Sequence, residues 1–268
     1  KAGMNVRPKG SEITKGSLAL SKGTLLTPAA TGFLAGIGID QVTVYPKPVI
    51  SIIITGNELR EPGKTLEHGQ VYESNSFSLS AVLQQLHIPS FHISMCEDDL
   101  EKLQTLLADA LANSDVVLLT GGISAGDYDF VLPAAESCGV TRIFHKVKQR
   151  PGKPLFFGKK DNRIVFGLPG NPSSVLTCFY EYVVPAINKM TCNLANGRTL
   201  RAPLAFPFHK AAGLTHFLKG SYDGNFVTIL DAQESYRMTS FAKANCLVMV
   251  DEEVTDVQAG ELLEVHLL

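Results

Sequence analysis

The chain has 268 residues, of which 45% are hydrophobic and 19% are charged. This composition is typical of a folded globular protein of about two domains and argues against an intrinsically disordered chain. The formal net charge of −2 argues against a general nucleic-acid-binding protein, because such a charge would not drive strong counterion release. Five scattered cysteines without a Cys-x-x-Cys pair predict reduced thiols in a cytoplasmic protein and offer no zinc site. No apolar run reaches membrane-spanning length. We therefore expect no membrane partner, and from the net charge no nucleic-acid partner.

Residues 1–45 are predicted to be a partial N-terminal β and linker segment. Residues 6–13 and 17–26 have the pattern of short strands and turns, and Pro28 begins a small helix that ends at Gly36–Gly38. The segment holds too little apolar material for a domain of its own, and the chain starts without a plausible initiator methionine, so we expect a fragment of a larger unit. Pro46 and Pro48 predict the boundary that follows.

Residues 46–192 alternate predicted strands and helices in the order of a three-layer α/β/α catalytic domain, with helices on both faces of a mostly parallel sheet. Pro185 is expected to kink or end the last helix. Ligands of such a sheet bind beyond the carboxyl ends of its strands. Strands are predicted at 49–55, 90–95, 115–119, 142–149, 155–158 and 163–167, and helices at 76–87, near 100–111, shortly after Asp129 and from Asn171-Pro172 onward.

Residues 193–268 are predicted to form a small all-β domain. Apolar and polar residues alternate in this part of the chain, as expected for half-buried strands. Asp223-Gly224-Asn225 predicts a hairpin turn between two of these strands, and a second turn is predicted at residues 259–261.

The most unusual stretch is Thr120–Asp129, which follows a short apolar strand. Three glycines (Gly121, Gly122 and Gly126) would allow positive φ angles and close approach of a ligand, and would expose backbone N–H groups to an anion. Asp127 and Asp129 follow where a metal or a proton could reach them. The alternative is a tight strand-to-helix turn with acidic capping residues, and the stretch alone leaves both open.

Two acidic loops follow other predicted strands. Glu58 comes directly after Thr55-Gly56-Asn57, and its alternative is a solvated or capping carboxylate. Asp98, together with Glu101, matches a capping box at the start of the next helix, which would explain it by structure alone.

Two further loops could bind anions. Lys146, Lys148 and Arg150 would share one face of the predicted strand 142–149, next to Lys153 in a proline-rich turn. The alternative is a solvated charged face. The segment 167–172 ends one strand and starts a helix, so its backbone could bind an oxyanion or simply cap the helix.

Taken together, the segments TGNE, TGGISAGDYD, RPGKP and GLPGNP resemble those of the molybdopterin molybdenumtransferase family, the bacterial molybdenum insertases related to the gephyrin E domain. The resemblance runs from about Arg7 to Leu268, and the family's elongated dimer-forming region and N-terminal β domain are mostly missing from it. The resemblance implies that adenylylated molybdopterin (molybdopterin-AMP) and molybdate react to give molybdenum cofactor and AMP, with a divalent metal, usually Mg²⁺. It also implies a homodimer for the full-length protein, with the site completed across subunits, and a possible molybdopterin adenylyltransferase partner.

The resemblance implies a role for residues on every loop. Arg150 stands where the family commonly has lysine, Lys219 where it often has arginine and Glu12 where it usually has aspartate. We expect the last two departures to affect molybdate affinity more than the fold. Catalytic roles are implied for Glu58, Asp98, Asp129, Lys146 and Arg150, and the three acids would also bind the metal. Substrate-binding roles are expected for Thr55, Gly56, Thr120, Gly121, Gly122, Ser124, Gly126, Asp127, Lys153, Pro169, Gly170, Asn171, Pro172, Lys219 and Ser240.

Two other functions stay open at this stage. One is a molybdopterin adenylyltransferase, which would use ATP on the same scaffold, although the C-terminal β domain and the segment before residue 45 argue against it. The other is a non-catalytic molybdopterin-binding or scaffold module, against which the retained acids argue. A hydrolase with a serine nucleophile is not favoured, because the histidines lack a convincing partner set of serine and aspartate.

Overall fold

The computed structural model describes residues 3–123, 130–193 and 198–268. The helices are α1 Pro28–Gly36, α2 Asn75–Gln85, α3 Leu100–Asn113, α4 Val131–Ser137, α5 Pro172–Cys178 and α6 Val184–Met190, with a π-helical turn at Phe179–Val183 and a 3₁₀ turn at Phe241–Lys243. The strands of the first part are β1 Ile50–Thr55, β2 Leu59–Arg60, β3 Val71–Tyr72, β4 Phe91–Cys96, β5 Val116–Thr120, β6 Thr141–His145, β7 Gln149–Arg150, β8 Phe156–Lys160 and β9 Arg163–Leu168. Those of the second part are β10 Thr199–Pro203, β11 Phe208–His209, β12 Thr215–Tyr222, β13 Val227–Ile229, β14 Cys246–Val250, β15 Asp256–Val257 and β16 Leu262–Leu267.

A six-stranded sheet in the order β4-β1-β5-β9-β8-β6 forms the centre of the first part. Strands β4, β1, β5 and β9 are parallel, and β8 runs antiparallel to both of its neighbours, β9 and β6. In the register of the sheet, Ile54 pairs with Thr120, which in turn pairs with Leu168. The carboxyl ends of β1, β5 and β9 therefore lie side by side at one edge, as predicted for a mostly parallel sheet.

Strand β1 shows why this sheet needs helices on both faces. Ile50, Ile52 and Ile54 pack into one apolar cluster with residues of α2 and α5, whereas Ile53 packs into a second cluster with α3 and α4. All four isoleucines are buried, as expected for a parallel strand covered on both sides. Each contributes about 1.5–3 kcal/mol through burial, so the apolar run fixes the three-layer arrangement predicted from the sequence.

The last helix of this part changes its hydrogen-bond pattern just before Pro185. The segment Phe179–Val183 is a π-helical turn, and the N–H of Val184 donates to the carbonyl of Phe179. Pro185, which has no N–H to donate, then falls in the first turn of α6, where an intrahelical donor is not needed. The predicted interruption at Pro185 is confirmed in this form.

A second sheet in the order β10-β16-β14-β12-β13 forms the C-terminal part, including the predicted hairpin around Asp223 and the turn at residues 259–261. Strand β7 also pairs with β12 of this sheet, with His216 opposite Arg150. The predicted strand 142–149 is therefore wrong in its second half: it ends at His145, and Lys146 has a φ of 72°. Because the backbone turns there, Lys146, Lys148 and Arg150 do not alternate along one strand.

The segment before β1 contains one regular element. Across residues 3–49, all of which the structure describes, only α1 is regular, so the short strands predicted at 6–13 and 17–26 are wrong. Val6 and Leu18 are exposed, so the apolar residues of these two segments do not gain the burial that would stabilise a strand. The predicted helix is confirmed, with Thr27 capping its N-terminus. No described helix is both long and apolar enough to cross a bilayer.

A histidine between two carboxylates ties the two parts together. Nδ1 of His266, on β16, lies 2.7 Å from Glu181 of the π-helical turn, and its Nε2 lies 2.8 Å from Glu264. A neutral imidazole has one N–H and could donate to only one of these carboxylates. Burial opposes the charge, but the hydrogen bonds and charges of Glu181 and Glu264 outweigh it and raise the pKa of His266 above its ordinary 6.5.

We expect this bridge to make stability depend on pH. Because the pKa is raised in the folded state, the stabilisation is complete below about 6.5 and is lost as the pH rises through the folded-state pKa. When the pH is raised from about 6 to about 8.5, the unfolding free energy measured with urea should fall more for the wild type than for His266→Gln. Equal pH dependence in the two proteins would contradict this assignment.

Candidate functional site

Three loops meet at the carboxyl edge of β1, β5 and β9. Gly121 has a φ of 85°, and a Cβ built on it would lie 2.4 Å from the carbonyl oxygen of Thr55. A Cβ built on Gly170 would lie 3.7 Å from the Cα of Gly121. The hydroxyl of Thr55 donates to the carbonyl of Thr120 over 3.3 Å. The structure thus brings together the loops that follow β1, β5 and β9, and glycine at position 121 permits their contact.

A fourth loop joins them through a reciprocal pair of hydrogen bonds. The N–H of Asn57 donates to the carboxylate of Asp98 over 3.2 Å, and the N–H of Asp98 donates to Oδ1 of Asn57 over 3.1 Å. The capping residue of α3 is Asp99, whose carboxylate accepts from the N–H of Lys102 over 2.9 Å. The predicted capping box with Asp98 is therefore wrong by one position, because α3 begins at Leu100. This shift leaves Asp98 to join the loop after β4 to the loop after β1.

The acids of the site lie at its rim. Glu58 is exposed, and its carboxylate folds back over Gly56, so that a Cβ at Gly56 would lie 2.9 Å from Oε2. Glu58 follows Asn57 in the chain, and Asp98 is hydrogen-bonded to Asn57, so both acids lie next to this residue. Asp129 lies outside the described residues, as do Ser124, Gly126 and Asp127. Within residues 3–123, 130–193 and 198–268, no group of three His, Cys, Asp or Glu side chains is placed to hold a metal.

The basic segment is spread between the two sheets. Lys148 forms an ion pair of 2.6 Å with Glu252 of the C-terminal part. Arg150 lines a cavity of about 460 Å³ together with Phe206, Phe208 and residues 229–234. Lys146 and Lys153 are exposed on either side of this segment. The predicted basic residues therefore do not form one charged face, and Arg150 borders a cavity next to the C-terminal sheet.

Lys219 and Ser240 hold a loop in place. Lys219 is 1% exposed, and its ammonium donates to the carbonyls of Ala232, Arg237 and Glu234 over 2.8, 3.2 and 3.4 Å. The hydroxyl of Ser240 donates to the same Ala232 carbonyl over 2.7 Å. Burial lowers the pKa of Lys219, and the three carbonyls satisfy its donors. These two residues, predicted to bind substrate, make contacts that support the loop of residues 231–237.

That loop reaches the start of α5. The side-chain amide of Asn171 donates to the hydroxyl of Ser235 over 3.0 Å, and the N–H of Ser173 donates to the carbonyl of Ser235 over 3.1 Å. Pro169, Gly170 and Asn171 form the turn between β9 and α5, and Pro172 is the first residue of α5. The C-terminal part therefore contacts the candidate site through Ser235, which the sequence reasoning missed because nothing local distinguishes this serine.

A sheet whose loops gather at its carboxyl edge, covered by helices and extended by a small β domain, defines a two-part α/β ligand-binding protein. Residues 51–189 match a family described as a probable molybdopterin binding domain, and residues 201–268 match the MoeA C-terminal region (domain IV). The chain is 33% identical to the molybdopterin molybdenumtransferase of Haemophilus influenzae, over 99% of this chain and 67% of that protein. For the Bacillus subtilis protein of the same name, the identity is 30% over 100% of this chain and 64% of the relative.

A crystal structure of the molybdopterin biosynthesis moea protein from Pyrococcus horikosii superposes with a TM-score of 0.81 at 32% identity, covering 96% of this chain and 64% of that one. The chain belongs to the molybdopterin molybdenumtransferase family. It spans about two thirds of the length of these relatives. The resemblance and the α/β fold class predicted from the sequence are confirmed.

Proposed function

We propose that this chain carries the catalytic part of a molybdopterin molybdenumtransferase, which inserts molybdenum from molybdate into molybdopterin-AMP and releases AMP. The observation that carries the proposal is the contact of Gly121 with Thr55 and Gly170, because it draws the acidic and anion-binding loops to one edge of the sheet. The names of the relatives support the same activity.

Each loop has a separate task in this proposal. The glycine turn and the turn at Gly170–Asn171 hold the pterin and the phosphates through backbone N–H groups. Lys146, Arg150 and Lys153 attract the negative charge of molybdate or phosphate. Lys219 and Ser240 act through the loop of residues 231–237, which they fix beside Asn171. Catalysis is then mainly electrostatic stabilisation of charge on the phosphoanhydride and the oxometalate.

Mg²⁺ is the metal we propose for this site. Carboxylate oxygens are hard ligands of the kind that Mg²⁺ prefers, and Glu58 and Asp98 supply them on two loops joined through Asn57. Asp129 is the third proposed ligand. When bound, the metal would supply positive charge that polarises a phosphoryl oxygen. The exposed position of Glu58 leaves its carboxylate available to such an ion.

We also propose the domain division and the cellular context predicted from the sequence. Residues 1–45 form a partial N-terminal segment, residues 46–192 the catalytic domain and residues 193–268 the C-terminal β domain. The full-length protein would act as a cytoplasmic homodimer, and a molybdopterin adenylyltransferase would supply its substrate. The free cysteines of the described chain are compatible with a reducing compartment.

The test is molybdate-dependent release of AMP from molybdopterin-AMP in the presence of Mg²⁺. Asp129→Ala is expected to abolish this release, because the proposed metal loses a ligand, while circular dichroism should show an unchanged fold. Unchanged turnover in Asp129→Ala would reject the assignment. An adenylyltransferase would instead incorporate AMP from ATP, and a scaffold module would bind molybdopterin-AMP without releasing AMP.

A further inference from the structure

Asn75, at the start of α2, makes a long-range contact with the candidate site. Its side chain is 7% exposed, and its amide Nδ2 donates to the carbonyl of Gly170 over 3.0 Å. The two residues are 95 positions apart in the chain, so this bond joins the start of α2 to the turn between β9 and α5. Gly170 in turn lies against Gly121, which connects the bond to the glycine turn.

The carbonyl oxygen of the Asn75 side chain is buried without a hydrogen-bond partner among the described residues. Within residues 3–123, 130–193 and 198–268, the same holds for the buried hydroxyl of Thr120. A buried polar atom without a partner costs free energy, and such atoms are uncommon outside functional sites. An apolar side chain of the same shape would avoid this cost. We therefore attribute the amide at position 75 to its other atom, the Nδ2 that donates to the Gly170 carbonyl.

Asn75 is not needed to cap its own helix. The buried carboxylate of Glu73 accepts from the N–H of Ser76 over 2.8 Å and also from the Ser76 hydroxyl. These bonds satisfy donors of the first turn of α2 and fix its start. The Asn75 side chain therefore lies on a rigid support while its amide reaches the Gly170 turn.

We propose that Asn75 is a positioning residue, which fixes the Gly170–Asn171 turn so that its backbone is ready to receive the adenylyl phosphate of the substrate. The phosphate half of this inference rests on the proposed function. Among the described residues, the bond from Asn75 to Gly170 is the side-chain hydrogen bond that joins the turn to α2, and it would be lost without the Asn75 amide. The turn would then have to be ordered at the moment of binding, which lowers affinity.

Asn75→Asp tests this at nearly constant shape, because it removes the Nδ2 donor and places a carboxylate oxygen against the Gly170 carbonyl. Hydrogen–deuterium protection in residues 169–173, measured at the Ser173 amide that donates to the Ser235 carbonyl, is expected to fall at least about tenfold, since local opening of this turn becomes easier. The Kd for AMP should rise by at least about tenfold. At low pH the protonated carboxyl can donate to Gly170 again, so protection factors should recover in the variant and not change in the wild type.

Glu73→Gln is the matched control, because it weakens the start of α2 without touching Gly170. Its protection should fall in residues 74–78 and not in residues 169–173. Asn75→Ala provides a second variant without a new charge, should Asn75→Asp fail to fold. Unchanged protection of residues 169–173 in the folded Asn75 variants would overturn the positioning role. If the Asn75 variants lose this protection but the wild type does not bind AMP, Asn75 positions the turn but the turn does not receive the adenylyl phosphate. That result would also overturn the proposed nucleotide site.

Discussion

Replacing Gly121 by alanine is expected to remove AMP binding and to lower the free energy of unfolding by about 3 kcal/mol. The new Cβ would lie 2.4 Å from the carbonyl oxygen of Thr55 and 2.8 Å from its hydroxyl, both of which belong to a buried strand end. Alanine also pays roughly 1–2 kcal/mol for the left-handed backbone at this position. Because the contact can be relieved only by separating the loops after β1 and β5, the site should open. Urea unfolding and titration calorimetry with AMP measure the two effects.

Gly260→Ala is the matched control for this experiment. Gly260 has a φ of 88°, close to that of Gly121, but a Cβ built on it meets no atom within 4 Å. The control should therefore lose only the roughly 1–2 kcal/mol of backbone strain and keep its affinity for AMP. Equal losses of stability and of binding in the two variants would show that the contact between the loops has no special role.

The second large effect is expected for Lys219→Met. Lys219 is almost fully buried and donates to three carbonyls of the loop 231–237. The Ala232 carbonyl keeps the Ser240 hydroxyl and the Glu234 carbonyl keeps the Arg237 N–H, so the loss of Lys219 removes the donor of the Arg237 carbonyl and a tie between the loop and β12. We expect the free energy of unfolding to fall by about 2–4 kcal/mol. Affinity for AMP should also fall, because the loop carries Ser235, which contacts Asn171 and Ser173. Urea unfolding and calorimetry again provide the measurements.

Lys210→Met separates the role of the loop from the general cost of removing a buried lysine. Lys210 is 4% exposed, and its ammonium donates to the carbonyls of Leu214 and Glu252 over 3.0 and 3.1 Å, away from the α5 turn. It should lose comparable stability but keep its affinity for AMP. If both lysine variants retained full affinity, the proposed support of the site by Lys219 would be wrong.

The parts of the fold that local patterns determine could be predicted from the sequence. Strand β1 is a continuous apolar run because both of its faces are covered, and Thr120-Gly121-Gly122 marks the turn after β5 because only glycine tolerates the close contact with Thr55. The gathering of loops at one edge then follows from the parallel order of the strands. These features define the family as well as the position of the site.

The parts that long-range contacts determine could not be predicted. Strand β7 has two residues and exists because β12 provides a partner more than sixty positions away, so no periodicity indicates it. Lys219 and Ser240 contact carbonyls of a loop whose position depends on the folded C-terminal sheet. The assignment of the cap to Asp98 failed by one residue. Only Asp98 has a glutamate three residues later, but tertiary contacts with Asn57 hold Asp98, and Asp99 caps the helix instead.

The most direct test of a single site built from several loops is a double-mutant cycle on Glu58 and Asp98. The rate of molybdate-dependent AMP release would be measured for Glu58→Gln, Asp98→Asn and the combined variant. Each single change is expected to slow release by about 10²-fold or more, and the combined variant should be little slower than the worse single one, because both acids serve the same proposed metal. Losses that multiply in the combined variant, or full activity in either single one, would contradict the account.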